Sequence, residues 1–332
     1  MTAPSISVVV PLHNEEMVLP QMLRRVSDVL DAMPGGPHEM IFVDDGSSDA
    51  TAQMLEAAAA ADPRMVVIIL SRNFGHQPAL SAALDYASGD VTVVLDGDLQ
   101  DPPESIPALV AKFQEGYDVV YAQRKRRKEG PLLKLAFYVF YRLMSSMSDT
   151  RLPLDAGDFG LMSRRVVNLV RSMPEHHRYI RGMRSWVGFR QIGIPVERSE
   201  RAAGESKYGF LKYIKLASDA IFSFSTIPIR AAAFFGFIAI SVSVLFALYT
   251  LVAKLAFHQP PKGFTALLVI GTFLAGTVLF FLGVIGEYVG RVYEEVKARP
   301  LYIVHKVIGR PAQARSNSSA ARVFSGSETD RG

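Results

Sequence analysis

The sequence predicts an α/β protein: a doubly wound, mostly parallel sheet, followed by a C-terminal hairpin of two transmembrane helices. Three observations carry this expectation. Short β-branched runs alternate with helix-forming stretches between residues 6 and 122, the pattern of strands joined by crossover helices. Two of those runs end in carboxylates, Asp44-Asp45 and Asp96-Gly97-Asp98, and the C-terminal ends of parallel strands are where such sheets place their ligands. Residues 231–253 and 264–286 carry no charge, and each is about the length of a membrane-crossing helix.

Taken in order, residues 6–10 form a first strand, and Val18, Met22, Val26, Val29 and Leu30 give a helix over about 17–33 that Pro34-Gly35-Gly36-Pro37 ends. Residues 40–43 form a second strand, after which Ser48 or Asp49 is expected to cap an Ala-rich helix through Ala61. A third strand covers 65–70, a helix about 78–87, and a fourth strand 91–95; Glu104 opens a further helix and 117–122 is a fifth strand. Residues 131–147 are too apolar and aromatic for an exposed soluble helix, which predicts a helix in the membrane interface. The stretch 154–160, with Asp155 and Asp158, reads as a turn before a strand-like Leu161-Met162, and the paired His176-His177 as a helix start with a packing or surface role. A second interfacial helix is expected at 211–229, and residues from about 312 are expected to be disordered.

The totals agree with this division. The chain has 332 residues and 49% hydrophobic residues, with mean hydropathy +0.18. The joining segment 254–263 is too short for a domain, so both termini fall on one side of the membrane. Arg230, Arg291, Lys297, Arg299, Lys306 and the basic run 124–128 lie outside the hairpin, against Lys254 and Lys262 in its loop, which predicts cytoplasmic termini. No secretory leader is expected at the N-terminus. The absence of cysteine excludes disulfides and thiolate metal sites. A net charge of +4, clustered beside apolar segments, suits an anionic membrane surface better than a nucleic-acid groove.

The chemistry concentrates at 91–104, VTVVLDGDLQDPPE. A carboxylate-rich turn after a strand is commonly only a turn; two such strand ends in one parallel sheet point to a site. Gly97 is expected to let the backbone bend so that Asp96 and Asp98 converge on one hard cation, with Gln100 and Asp101 as further oxygen donors. The first strand runs into PLHNEE and lacks the GxGxxG of dinucleotide-binding turns, so a metal is the expected neutraliser of a diphosphate. Residues 198–208 carry Arg198, Arg201, Ser206 and Lys207 around Gly204, a mix suited to an anionic headgroup or simply to a basic loop.

The motifs PLHNEE, VDDGSSDAT, RNFGHQPAL, LDGDLQDPPE, DAGDFGLMSRR and GESKYGFLKY closely resemble glycosyltransferase family 2, in its polyprenyl-phosphate branch of bactoprenol glucosyltransferases and dolichol-phosphate mannose synthases. The resemblance implies a GT-A fold, a nucleotide-sugar donor, Mg²⁺ or Mn²⁺, inversion at the anomeric carbon, a bacterial inner-membrane location and a tetramer. It implies that Pro11, Asn14 and Glu15 line the nucleotide pocket, that Asp44 and Asp45 recognise base and ribose, and that Arg72 lies near the nucleotide. By the same carry-over, Asp96 holds the sugar or ribose side of the donor, Asp98 and Gln100 ligate the metal, and Asp158 occupies the position of a general base. Arg124, Arg201, Ser206 and Lys207 would bind the acceptor phosphate. The processive QxxRW motif is missing, its nearest counterpart being 182–186, GMRSW, which favours transfer of one sugar. UDP-glucose to undecaprenyl phosphate is the expected reaction, with GDP-mannose as alternative donor and a catalytically idle nucleotide-sugar-binding scaffold as the competing class.

Overall fold

The computed structural model describes residues 3–124, 156–197, 227–257 and 263–309, which fall into two units, one carrying the sheet and one the two long helices. In the first unit the elements run β1 (Ile6–Leu12), α1 (Leu19–Ala32), β2 (Glu39–Asp44), α2 (Thr51–Ala61), β3 (Met65–Leu70), α3 (His76–Tyr86), β4 (Val91–Val94), α4 (Ile106–Gln114) and β5 (Val119–Arg124). They continue with β6 (Ala156–Ser163), α5 (Arg164–Ser172), α6 (Ile180–Trp186), β7 (Gln191–Val196) and β8 (Val304–Ile308). The eight strands form one sheet in the order β7-β5-β6-β4-β1-β2-β3-β8. Neighbours are parallel throughout except at β6, antiparallel to both β4 and β5, and at β8, antiparallel to β3. The doubly wound, mostly parallel α/β class read from the sequence is the observed one.

Both faces of the sheet are covered, which is why its central strands read as unbroken apolar runs. Ile6, Val8 and Val10 on β1 meet Leu19, Met22 and Val26 of α1 and Ile106 and Leu109 of α4. Val9, Ile41 and Ile68 point the opposite way, against Leu80 and Ala83 of α3, Val166 and Val170 of α5, and Met183 of α6. Alternation along each strand therefore feeds two separate hydrophobic layers.

Several expectations need correction. The α2 cap position is Ala50, which makes no side-chain cap; Asp49 serves one residue earlier, its carboxylate accepting the Thr51 and Glu16 amides at 3.0 and 3.2 Å. Helix α3 begins at His76, two residues before the expected start, because Gly75 adopts φ 102 and turns the chain there. Asp158 lies within strand β6 rather than in a turn. His176 and His177 sit in a bend between α5 and α6, their rings edge to face. The expected interfacial helix at 131–147 and the tail beyond 312 lie outside the described residues, and the helix expected at 211–229 meets them only at 227–229, already part of the next helix.

Strand β8 had no counterpart in the sequence reading. It extends the sheet beyond β3, and Tyr302 just before it is fully buried, donating its hydroxyl to Asp85 of α3 at 2.6 Å. Arg171 of α5 approaches the other Asp85 oxygen at 3.5 Å. Burial and the adjoining carboxylate push the Tyr302 phenol above its ordinary pKa, so it remains a donor.

The second unit contains α7 (Ile227–Phe257) and α8 (Phe264–Lys297), of 31 and 34 residues. The rings of Phe235 and Phe281 stack between them with centroids 6.2 Å apart. Large apolar side chains such as Phe237, Leu245, Phe273 and Leu279 are exposed. Within α8, Ile270–Lys297 is long and apolar enough to cross a membrane; on α7 a shorter apolar segment covers Phe234–Tyr249.

Removing the Tyr302 hydroxyl takes the short donor from the half-buried Asp85 Oδ2 and leaves Arg171 facing Oδ1. Tyr302→Phe should lower stability by about 1–3 kcal/mol, read as a lower urea midpoint at unchanged slope; an unaltered midpoint would mean this bond contributes nothing.

Candidate active site

Parallel pairing brings the C-terminal ends of β1, β2, β3 and β4 to one edge of the sheet. There the chain leaves at Leu12, Asp44, Leu70 and Val94, so Asn14, Glu15, Asp45, Arg72, Asp96 and Asp98 gather at that edge, with Pro11 buried just inside it. Strand β6 runs the other way, so its beginning reaches the same edge. Register pairs Val94 with Gly160 in antiparallel sense, so Asp96, two residues after Val94, lies beside Asp158, two residues before Gly160. The carboxylates expected to face donor and acceptor are neighbours for this reason. Arg124 closes β5 at the same edge, since Gln123 pairs with Ala156. Arg201, Ser206 and Lys207 lie outside the described residues.

The loops are interlocked. Asn14, at φ 56, accepts the Ser48 amide on its side-chain oxygen at 2.8 Å, while its own amide donates to the Ser47 hydroxyl at 2.9 Å. Asp45 accepts the amides of Phe74 and Gly75 at 2.7 and 2.9 Å. Both of its oxygens thus hold the RNFG loop; burial, against these two bonds, leaves its pKa above the ordinary value. Asp44 is buried, with Oδ2 accepting the Ser47 amide at 3.2 Å and Oδ1 buried without a hydrogen-bond partner among the described residues. An unmatched buried acceptor at the rim of a site is suited to a ligand's N–H or O–H. The Arg72 guanidinium lies over the Phe74 ring at 4.0 Å.

Gly97 acts differently from the sequence expectation. A Cβ there would sit 2.6 Å from Leu12 Cδ2 and 3.1 Å from the Pro11 carbonyl oxygen, so glycine permits the exits of β4 and β1 to approach. Past it, Asp96 and Asp98 keep different company. Asp98 Oδ1 accepts the Gln100 amide at 3.1 Å across a turn in which Leu99 takes φ 54, and Asp101 is buried behind it. A carboxylate and an amide side chain, both half-buried, form the all-oxygen donor set that hard divalent ions prefer. These residues fit Mg²⁺ or Mn²⁺.

Asp96 belongs to a second cluster. His76 Nε2 lies 3.8 Å from Asp96 Oδ1 and 3.4 Å from Asp158 Oδ2, and the three ligand-type atoms fall within 4.8 Å of one another. Arg181 engages both Asp158 oxygens, Nε at 2.9 Å and Nη2 at 3.2 Å. Its guanidinium takes both Asp158 oxygens, so with His76 and Asp96 these groups form an ion-pair network. One helical turn on, Arg184 is buried and donates to the backbone carbonyls of Asp158 and Gly157 at 3.1 and 2.8 Å, its pKa pulled down to about 10 by burial. Burial alone would raise the pKa of Asp158, but the Arg181 charge and the His76 bond overcome it and hold the carboxyl well below the usual range. Burial opposes charge on His76 as well, yet the Asp158 bond and the charges of Asp158 and Asp96 raise its pKa above the ordinary value. The arrangement is a carboxylate whose ionised form is favoured by partners on two sides.

Sequence reasoning missed His76, Arg181 and Arg184. The available signal was the spacing of the two arginines, three apart on a short helix and hence on one face, together with a histidine one residue after a loop glycine.

The family described as Glycosyl transferase family 2 matches residues 7–170. The chain is similar to an uncharacterized glycosyltransferase, YkcC, of Bacillus subtilis (strain 168), at 44% identity over 91% of this chain and 94% of the relative. It is 42% identical to the SfII prophage-derived bactoprenol glucosyl transferase of Shigella flexneri, over 91% and 97% of the two chains. It is 36% identical to the undecaprenyl-phosphate 4-deoxy-4-formamido-L-arabinose transferase of Klebsiella pneumoniae, over 93% and 95%. A carboxylate-lined edge of a doubly wound sheet, matched over nine-tenths of the chain by transferases of this kind, leads to one conclusion: the chain belongs to glycosyltransferase family 2.

Proposed function

We propose that this protein transfers one hexose from a nucleotide sugar, UDP-glucose, to a polyprenyl phosphate, undecaprenyl phosphate, at the surface of a membrane that its C-terminal helices enter. The observation that carries the reading is the antiparallel register that sets Asp158 beside Asp96, one carboxylate for each side of the reaction. The relatives named for bactoprenol and undecaprenyl phosphate, matched along almost their whole length, support the acceptor. The length and apolar surface of α7 and α8 support two spans, with the Lys and Arg balance favouring cytoplasmic termini.

In this reading Asp44 takes a hydrogen bond from the nucleotide, and Asn14, Glu15 and Arg72 border it. Asp96 orients the sugar. Asp98 and Gln100 would hold Mg²⁺ or Mn²⁺, which supplies positive charge to the diphosphate when bound. An acceptor phosphate oxygen attacks C1 as the bond from C1 to the diphosphate oxygen breaks, the electron pair leaving with the nucleoside diphosphate. A phosphate monoester has a second pKa near ~6 and is largely a dianion at neutral pH, so no strong base is needed. Asp158 suits that chemistry: Arg181 and His76 stabilise its charged form, which makes it a weak proton acceptor and a firm positioning group. Arg124, Arg201, Ser206 and Lys207 are assigned to the acceptor phosphate.

Radiolabel from UDP-glucose should enter an organic-extractable, mild-acid-labile lipid, and EDTA should abolish it. Asp98→Asn should lower kcat by roughly 10²-fold or more. No transfer from any nucleotide sugar in a panel, with divalent metal and polyprenyl phosphate supplied, would reject the reading. Asp158→Asn should keep more than about one part in 10⁴ of kcat; a larger loss with donor binding intact would assign that carboxylate proton removal. The same substitution removes the carboxylate that two Arg181 nitrogens engage and should cost about 3–5 kcal/mol of stability. Because the folded-state pKa of Asp158 is depressed, that contribution is present above the ordinary carboxylate pKa of about 4. It is lost as pH falls towards the folded value, so the gap between wild type and variant in thermal melts should narrow in acid.

A further inference from the structure

We propose that Glu16, Asp49 and Thr51 are positioning residues for donor binding: they fasten the turn after β1 to the start of α2, so the wall that Asn14 and Glu15 form is in place before a nucleotide enters. The inference rests on the transfer reading above, which uses Asn14 and Glu15 and assigns nothing to the three residues that hold them.

Strands β1 and β2 are parallel neighbours that end with Leu12 opposite Asp44, so the turns leaving them run side by side with no ladder to order either one. Side chains take over that task, and their bonds are reciprocal. Asp49 Oδ2 accepts the Glu16 amide at 3.2 Å, while Glu16 Oε2 accepts the Ala50 amide at 2.9 Å. The fully buried Thr51 accepts the Glu15 amide on its hydroxyl at 3.0 Å, and its own amide is held by Asp49 Oδ1 at 3.0 Å. On its other side Glu15 gives its carbonyl to the amides of Val18 and Leu19, at 3.0 and 2.9 Å, as α1 begins. Residue 15 is thus anchored through both of its peptide groups. Helix capping accounts for only one of these bonds: a cap for α2 needs a single Asp49 oxygen, whereas the second oxygen, the Glu16 carboxylate and the Thr51 hydroxyl all serve the link to the other turn. Nor does the core hold that turn, since Asn14 is exposed and Met17 is 79% exposed. Asn14 nevertheless keeps φ 56, a left-handed backbone that persists only where its surroundings fix it. The clasp supplies that fixing through residues 15 and 16, and Ser47 and Ser48 complete it at residue 14 itself. A pocket wall held this way spares a ligand the cost of ordering it.

The test uses the full-length enzyme in detergent, with the affinity for UDP and for GDP measured by calorimetry in the presence of Mn²⁺ and donor KM and kcat measured in lipid-linked transfer. Glu16→Ala and Thr51→Val should raise the nucleotide Kd and the donor KM roughly tenfold while kcat stays within about threefold. Glu16→Gln and Thr51→Ser, which keep an acceptor oxygen, should leave all three within about threefold of wild type. The melting shifts of Glu16→Ala and Asp49→Ala should fail to add, the double variant departing from their sum by about 2 °C or more. An unchanged Kd in the Ala and Val variants, a fall in kcat at unchanged KM, Gln as weak as Ala, or additive melting shifts would each overturn the clasp. A wild type that binds nucleotide but moves no sugar from any donor rejects the transfer reading alone, and Kd with the melting cycle then upholds or overturns the clasp; a wild type that binds neither nucleotide overturns both.

Discussion

The antiparallel insertion of β6 between β4 and β5 is the constraint on which the site depends. In a sheet of parallel strands alone, every chain exit at the ligand edge comes from a strand's C-terminal end. Strand β6 reverses that rule at one place and brings the start of a strand to the same edge, with Gly160 opposite Val94. A side chain on a strand is held by ladder bonds on both sides, and one on a loop is not. Asp158 lies two residues before Gly160, where the pairing to β4 ends, and α6 fixes it from behind with Arg181 on its carboxylate and Arg184 on its backbone.

That rigidity explains why a charge can be kept there at all. Asp158 is 7% exposed, and an isolated carboxylate so placed would take up a proton. The Arg181 guanidinium and the His76 imidazole reverse the balance. Partners that make the group a good anion make it a poor base, and this follows from the same interactions. A reaction whose nucleophile arrives already ionised tolerates such a group, whereas one that had to deprotonate a hydroxyl would not. The electrostatics of one carboxylate thus bear on the acceptor class.

Much of this was legible in the residues. Strands β1 to β4 are β-branched runs buried on both faces, and their order follows from alternation with helices. The acidic strand ends announced an active edge. Strand β6 was not legible because Ala156-Gly157-Asp158-Phe159-Gly160 has Phe159 as its one β-former and carries two glycines; its extended form comes from partners about seventy residues upstream in β4 and about forty upstream in β5. Strand β8 escaped for a related reason, being a short edge strand paired to β3 from the far end of the chain. Arg181 and Arg184 look like surface charges until tertiary packing buries Arg184 and sets Arg181 on Asp158. That Asp45 accepts the amides of Phe74 and Gly75 could not be read either; which hydrogen-bonding groups a side chain meets is a three-dimensional fact that no local pattern encodes.

Helix α3 joins these threads. At its N-terminal end the Asp45 clamp fixes Phe74 and Gly75, and His76 enters the charged cluster. Near its C-terminal end Asp85 receives the Tyr302 hydroxyl, from the segment that leads into β8. Between those points Ala79, Leu80, Ala82 and Ala83 are fully buried against the sheet. A helix of 11 residues held at both ends and packed along one side has little freedom to slide, so its first side chain is as well located as a strand residue. The part of the chain that follows the apolar helices thereby contributes to the precision of the site: it completes the sheet edge, buries Tyr302, and steadies the helix whose opposite end carries the imidazole between two carboxylates.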